Sequence, residues 1–150
     1  MTVLEALKAP KEIEKQIRAL KAQISAVLAT LEPGGVNYEQ DRVQTSPRDR
    51  FAEVMGEVYD LEGKVENLYD RLDKAKRRVL LLLDQVKDKD TRIIINLHDV
   101  LDFSMDDVAE IVYMSRSKCY YVRDQGLAAI SLDDLDDDMW YGDNEEMRTS

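Results

Sequence analysis

The sequence predicts an all-α protein: a long N-terminal helical hairpin or coiled coil followed by a trihelical helix-turn-helix domain. Two apolar seams with heptad-like spacing occupy the first 87 residues, and three short segments, two of them opened by serine, follow up to residue 130. The last twenty residues carry eight acidic side chains and one basic one. We therefore predict a helical assembly region at 1–87, a helix-turn-helix domain at 88–130 and a disordered acidic tail at 131–150.

The first seam predicts a helix of about 20 residues. Its apolar residues are separated by alternating steps of four and three: Ile13, Ile17, Leu20, Ile24, Val27 and Leu31. That spacing places them on one helix face. Pro33, Gly34 and Gly35 are expected to end the helix, because proline cannot continue it and glycine accepts a left-handed conformation.

The second seam predicts a helix of about 40 residues. Ser46 and Pro47 are typical of an N-cap followed by the first helical position. From Phe51 to Val86 apolar residues alternate steps of three and four without a break, which is typical of a coiled coil. We predict that the first seven hold copies of the chain together in a homo-oligomer: Phe51, Val54, Val58, Leu61, Val65, Leu68 and Leu72.

The unequal lengths of the two helices leave part of the second one uncovered. An antiparallel partner of about 20 residues covers about half of it. The remainder includes "VLLLLDQV" (79–86), which is apolar on more than one face. We expect this stretch to pack against the C-terminal region or against a second copy.

Three short helices are predicted after residue 87, with Thr91, Ser104 and Ser115 as their N-caps. The joint between the last two is only Tyr113, Met114 and Ser115. The expected interior consists of the apolar residues of these helices: Ile93, Ile94, Leu97, Leu101, Val108, Ala109, Val112, Cys119, Val122, Leu127 and Ile130.

Two helices joined by about three residues are typical of a helix-turn-helix. With Cys119 and Val122 facing inward, the residues predicted to face out and contact DNA are Arg116, Ser117, Lys118, Tyr120 and Tyr121. Arginine suits guanine, and serine or lysine suits bases or phosphates. The segment 91–130 holds four basic and six acidic residues. DNA contact therefore depends on the basic residues sharing one face of the domain.

The net charge of −10 is unusual for a nucleic-acid-binding protein. Much of it lies in the tail "SLDDLDDDMWYGDNEE". Three interpretations of this tail remain open: a solvated segment, an acidic-aromatic docking peptide for a basic partner, or a competitor that folds back and screens non-specific DNA.

No pattern in the sequence indicates an enzyme. Ser115 to Lys118 fits S-x-x-K, but the partner motifs of penicillin-recognising enzymes do not accompany it. One histidine, His98, and one cysteine, Cys119, do not suit a zinc site. No glycine at the sixth position supports a calcium loop in the tail. We expect no cofactor, no metal, no membrane span and no signal peptide, and hence a cytoplasmic protein.

Three stretches resemble small proteins encoded by phages and mobile elements of Gram-positive bacteria. They are "DRVQTSPRDRF" (41–51), "VYDLEGKVENLYDRL" (58–72) and "DVAEIVYMSRSKCYYVRDQGL" (107–127). The chain is similar to the ArpU-type and RinA-type phage late transcriptional regulators. The resemblance implies a sigma-factor-like helix-turn-helix and control of late, packaging or structural genes. It also implies glycine in the turn, where this chain has Tyr113.

Two functions follow as expectations. In the first, the chain is an oligomeric regulator that binds promoter DNA. In the second, it is a protein-interaction adaptor of a phage or phage satellite. The adaptor would bind the small terminase to redirect DNA packaging, or bind RNA polymerase as a sigma-like factor. The negative charge favours the second function.

Overall fold

The computed structural model describes residues 1–32 and 46–134, and within these ranges the chain is helical without strands. This confirms the all-α prediction. Five α-helices are present in the described ranges: α1 Val3–Ala29, α2 Pro47–Asp84, α3 Lys89–Ile95, α4 Met105–Val112 and α5 Arg116–Ala129. A π-helical turn at Asn96–Val100 continues α3, and a 3-10 turn at Leu132–Asp134 follows α5. None of the helices in the described ranges combines the length and apolar content needed to cross a membrane.

Two predicted segments lie outside the described residues. The first is the interhelical loop with Pro33-Gly34-Gly35 and most of the "DRVQTS" stretch. The second is the acidic tail from residue 135 onward. A 3-10 turn at Leu132–Asp134 lies within the segment predicted as tail, and Leu132 packs against the core.

Helix α1 begins at Val3, ten residues before the predicted seam. Thr2 and Glu5 form a reciprocal cap: Glu5 N donates to Thr2 Oγ1 at 3.1 Å, and Thr2 N donates to Glu5 Oε2 at 3.2 Å. This capping box satisfies two backbone donors of the first turn. The helix then continues through Pro10, although proline removes one internal hydrogen bond. The T-x-x-E spacing could have located this start from the sequence.

The chain divides into two compact units, one of residues 14–70 and one of residues 1–13 with 71–150, so α1 and α2 contribute to both. In the 14–70 unit α1 and α2 run antiparallel. Arg50 Nη2, near the start of α2, donates to the carbonyl of Thr30 at 2.9 Å. Further along, Lys21 Nζ donates to Tyr69 Oη at 2.6 Å. A helical hairpin is therefore present.

The seven residues predicted to join copies divide by their exposure. Five are buried within the single chain: Val58, Leu61, Val65, Leu68 and Leu72. Val54 is half-buried, and Phe51 is 55% exposed. Much of the seam is thus already covered by the chain itself, and contact between copies through these residues stays a prediction.

The larger core lies in the other unit and covers the apolar stretch 79–86. It consists of nine buried residues: Ala6, Leu7, Val79, Leu82, Leu83, Val86, Ile95, Val100 and Ile130. The C-terminal region covers the stretch as expected, together with the unexpected first turns of α1. Leu80 and Leu81 stay 63% and 41% exposed, because residues on the opposite side of a helix cannot share one core.

A second cluster joins α3, α4 and α5. Its buried members are Ile94, Met105, Val108 and Cys119. Most of the predicted interior is confirmed. The prediction is wrong for Ile93 and Leu101, whose side chains are 42% and 41% exposed. Three consecutive isoleucines cannot all face inward on a helix. The π-helical turn rotates Leu101 away from the face that a 3.6-residue repeat predicts.

Side-chain caps define the helix starts. Ser46, Ser104 and Ser115 each accept a backbone hydrogen bond from three residues ahead, which confirms these predicted caps. Thr91 does not cap the third helix; Asp88 does. Asp88 Oδ2 accepts from Thr91 N at 3.0 Å and from Thr91 Oγ1 at 2.8 Å. These hydrogen bonds, the backbone one first, lower the pKa of Asp88 because they favour the carboxylate.

Candidate nucleic-acid interface

The joint between α4 and α5 is a sharp corner. Tyr113 adopts the left-handed conformation, with φ 57° and ψ 45°, and its N–H donates to the carbonyl of Ala109. Met114 N donates to the same carbonyl at 3.1 Å. Ser115 is extended, and its Oγ accepts from Lys118 N at 3.2 Å. The two helices are therefore separate, with a three-residue joint as predicted.

Tyr113 takes the conformation that the resemblance assigns to glycine. Its side chain is 94% exposed, so no packing compensates for the crowding of Cβ against the carbonyl oxygen. A left-handed residue with a Cβ costs about 1–2 kcal/mol. The corner is closed by its backbone hydrogen bonds despite this cost.

Helix α5 packs closely on α3. A Cβ added at Gly126 would lie 2.4 Å from Thr91 Cγ2 and 2.9 Å from Ile95 Cδ1, so the glycine permits this approach. Cys119, seven residues earlier on the same face of α5, is fully buried. Burial raises the pKa of its thiol because the thiolate would lose solvation. These contacts fix which face of α5 remains outside.

The first turn of α5 presents Arg116, Ser117 and Lys118 to solvent. Arg116 Nε lies 3.6 Å from Asp106 Oδ1, and both side chains are exposed. The guanidinium carbon lies 5.7 Å from the ring centre of Tyr120. The pKa of Arg116 is raised, first by its interaction with the Tyr120 side chain and then by Asp106. Arg116 is therefore an exposed cation whose guanidinium lies near Tyr120 and Asp106.

The two tyrosines of the predicted site differ. Tyr120 was expected to face out, but it is half-buried. Its ring meets His98 edge-on at 6.0 Å between centroids, and His98 Nδ1 donates to the carbonyl of Phe103 at 2.9 Å. Tyr121 is 63% exposed as expected. The structure thus brings Arg116, Ser117, Lys118 and Tyr121 to the surface and makes Tyr120 a support beneath Arg116.

The third basic residue of α5, Arg123, faces the protein. It pairs with the buried carboxylate of Asp99 and with the exposed carboxylate of Asp124. The hydrogen bonds to Asp99 raise the pKa of Arg123. Sequence reasoning missed the Asp99 pair, because 24 residues separate the partners and no local pattern connects them.

An open groove of about 550 Å³ borders the same corner. Its lining includes Lys87, Met114, Lys118 and Val122. Gln85, at its edge, exchanges two hydrogen bonds with the backbone of Ser131, at 2.8 and 2.7 Å. This pairing holds Ser131 beside the groove.

Acidic side chains lie near the exposed basic residues of α5. Asp106, Asp107 and Glu110 are exposed on α4, so the corner carries both signs of charge. Within residues 1–32 and 46–134, no group of three or more His, Cys, Asp or Glu is placed to hold a metal ion. Two exposed cations at a helix N-terminus suit an anionic ligand such as a phosphate.

Comparison with protein-family models, curated proteins and solved structures gives no match to this chain. The resemblance to phage late regulators stays a prediction.

Proposed function

We propose that the chain is a phage-type DNA-binding transcriptional regulator of late or packaging genes. In this proposal α3, α4 and α5 form a helix-turn-helix, and α5 is the helix that enters the major groove. The observation that carries it is the exposed first turn of α5, with Arg116, Ser117 and Lys118 directly after a three-residue corner.

The chemistry of this turn suits DNA. The N-terminal residues of a recognition helix contact base edges. Arg116 can donate two parallel hydrogen bonds to guanine, while Ser117 and Lys118 suit bases or phosphates. The pair with Asp106 is exposed to water, and such pairs contribute little. A phosphate or base can therefore replace Asp106 as the partner of Arg116.

Tyr120 supports this role from below. Its half-buried ring lies under the guanidinium of Arg116 and against His98. A cation held over an aromatic face keeps a preferred direction. Tyr120 thereby orients Arg116 rather than contacting DNA through its hydroxyl.

The charge balance sets the expected affinity. The acidic residues of α4 lie beside the two exposed basic residues of α5. A single helix-turn-helix domain therefore binds DNA weakly and with strong salt dependence. A homo-oligomer places two helix-turn-helix domains on two DNA half-sites, which multiplies the number of contacts. This proposal therefore includes self-association of the chain.

Fluorescence anisotropy with labelled duplexes tests the proposal. The target is the DNA upstream of the late and packaging genes that neighbour the chain's own gene, and a shuffled duplex of equal composition is the reference. Arg116→Ala should weaken binding by about ten- to a hundredfold if Arg116 contacts a base. Lys118→Ala should weaken both duplexes alike and reduce the salt dependence if Lys118 contacts a phosphate.

Lys64→Ala is the matched control, because Lys64 is an exposed base on α2 in the other compact unit. It should leave the affinity unchanged. Equal binding of the wild-type chain to target and shuffled duplexes at low salt would refute the regulator function.

A second function is favoured by the apolar surface at the same corner. Ile111, Tyr113 and Tyr121 are 50%, 94% and 63% exposed, and aromatic residues are enriched in protein interfaces. In this alternative the chain is an adaptor of a phage or phage satellite that binds the small terminase or RNA polymerase. Purified chain carrying Tyr113→Ser and Tyr121→Ser should then lose binding to that partner and keep its own fold.

A further inference from the structure

Helix α2 has a second apolar face in the unit of residues 14–70. Five exposed residues form it: Ala52, Met55, Gly56, Tyr59 and Gly63. Tyr59 is 77% exposed and Met55 is 38% exposed. Each residue advances about 100° around a helix, so Tyr59 points well away from its neighbour Val58 in the buried seam. Helix α1 packs on the seam, and this second face remains in solvent.

The two glycines of this face have no function within the described part of the chain. A Cβ at Gly56 or Gly63 would meet no atom within 4 Å, and neither residue has a positive φ. Glycine is among the least favourable residues in a helix interior. An exposed glycine does allow another helix to approach the backbone closely. The face therefore suits a helix that is not part of this chain's own hairpin.

The face is complementary to itself. If a second α2 crosses antiparallel with the two-fold axis at Gly56, the backbones meet at their glycines. In the same register Tyr59 lies close to the partner subunit's Ala52, because these residues are three and four positions from Gly56 on opposite sides of the axis. Such two-fold contacts use one patch on both subunits.

Charges at the edge of the face agree with this register. Arg48 and Glu62 are exposed and lie on opposite sides of Gly56, each about two helical turns from it. An antiparallel crossing at Gly56 brings Arg48 beside the partner subunit's Glu62, and symmetry repeats the pair. Opposite charges fix register and orientation more than they add affinity.

We propose that this face of α2 is a homodimer interface, with a second copy of the chain as its occupant. This interface supplies the contact for the self-association that the proposed function includes. Dimer formation can be measured without DNA. The face covers only about three helical turns, so we expect a reversible dimer with micromolar affinity.

Disulfide trapping tests the register. Gly56→Cys lies on the two-fold axis, where two Cα atoms come within the distance that a disulfide requires. Gly63→Cys is the matched control, because it is equally exposed on the same helix but lies about 20 Å from its symmetry mate in this register. The chain's own cysteine, Cys119, is buried. Mild oxidation should give a covalent dimer for Gly56→Cys and not for Gly63→Cys.

Charge exchange tests the orientation by sedimentation velocity. Arg48→Glu should raise the dissociation constant about tenfold, and adding Glu62→Arg should restore it. Helix content by circular dichroism should stay unchanged in both variants. A wild-type chain that stays monomeric up to about 100 µM, or equal trapping of both cysteine variants, would overturn the interface.

Discussion

Arg123 donates two hydrogen bonds to the carboxylate of Asp99, from Nη2 to Oδ1 at 2.6 Å and from Nε to Oδ2 at 3.0 Å. The Asp99 side chain is 2% exposed and that of Arg123 is 17% exposed. The pair links the π-helical turn to α5. Its geometry is bidentate, which gives charge-assisted hydrogen bonds both strength and direction. One of the three basic residues on α5 thus holds the helix in place, while Arg116 and Lys118 stay exposed.

Arg123→Met should lower the free energy of unfolding by about 2–4 kcal/mol. Removing one partner leaves the Asp99 charge buried without compensation, and the partial exposure of Arg123 keeps the loss below the upper limit. Urea denaturation followed by circular dichroism gives the value. Adding Asp99→Asn should recover part of it, because the buried charge is then gone.

Arg116→Met is the control for that measurement. Arg116 is an arginine on the same helix, but its pair with Asp106 is exposed, so its loss should change stability little. Equal losses for the two arginine variants would show that the Asp99 pair has no special role.

Tyr113→Gly should stabilise the chain by about 0.5–1 kcal/mol. Glycine removes the crowding of a left-handed residue, and the greater freedom of glycine in the unfolded state offsets part of the gain. The midpoint of urea unfolding should rise. Ile111→Gly, two residues earlier and inside α4, should instead lower it. A lower midpoint for Tyr113→Gly would mean that the tyrosine side chain makes a stabilising contact.

Gly126→Ala should destabilise the chain by about 1–3 kcal/mol, because the added methyl overlaps Thr91 and Ile95 in a packed core. Gly63→Ala is the matched substitution at an open helical site, where it should stabilise the chain by about 0.5–1 kcal/mol. Thermal unfolding at low protein concentration compares the two. A neutral Gly126→Ala would require α5 and α3 to be further apart.

Local signals account for what the sequence could predict of the fold. Ser46, Ser104 and Ser115 cap helices because a cap depends on only three following residues. The seam from Val58 to Leu72 is buried because its period matches the helix. Signals that depend on tertiary contacts were missed. The π-helical turn moved Leu101 out of the core. The early start of α1 was missed although its T-x-x-E cap is a local signal.

The candidate site was predictable in part for the same reason. Arg116, Ser117 and Lys118 are exposed because they form the first turn of α5, directly after the Ser115 cap. Tyr120 and Arg123 could not be placed by periodicity. Their positions depend on His98 and Asp99, which come from a different helix and lie more than 20 residues earlier in the chain.

The cap of α3 should give the chain a specific acid dependence. The folded-state pKa of Asp88 lies below its ordinary value of 3.8. The ionised cap therefore contributes stability that is fully present above about pH 4 and is lost as pH falls through the lowered pKa. Asp88→Asn keeps the acceptor but cannot titrate. The stability difference between wild type and variant should be constant near neutral pH and shrink below pH 4; a constant difference down to pH 2 would contradict this origin.

Removing the acidic tail should raise non-specific DNA affinity if the tail competes with DNA for the basic residues of α5. The truncation belongs after Asp134 rather than after Ile130, because Ser131 bonds to Gln85 and Leu132 packs on the core. A chain of residues 1–134 loses six acidic residues and one basic residue. Gln85, which bonds to Ser131, lines the same groove as Lys118. Binding to a random duplex at low salt should become tighter, and the difference should fade as salt is added.

A control that keeps all 150 residues but replaces Trp140 and Tyr141 with serine separates charge from aromatic docking. Equal affinity of the full and truncated chains at matched low salt would rule out self-competition.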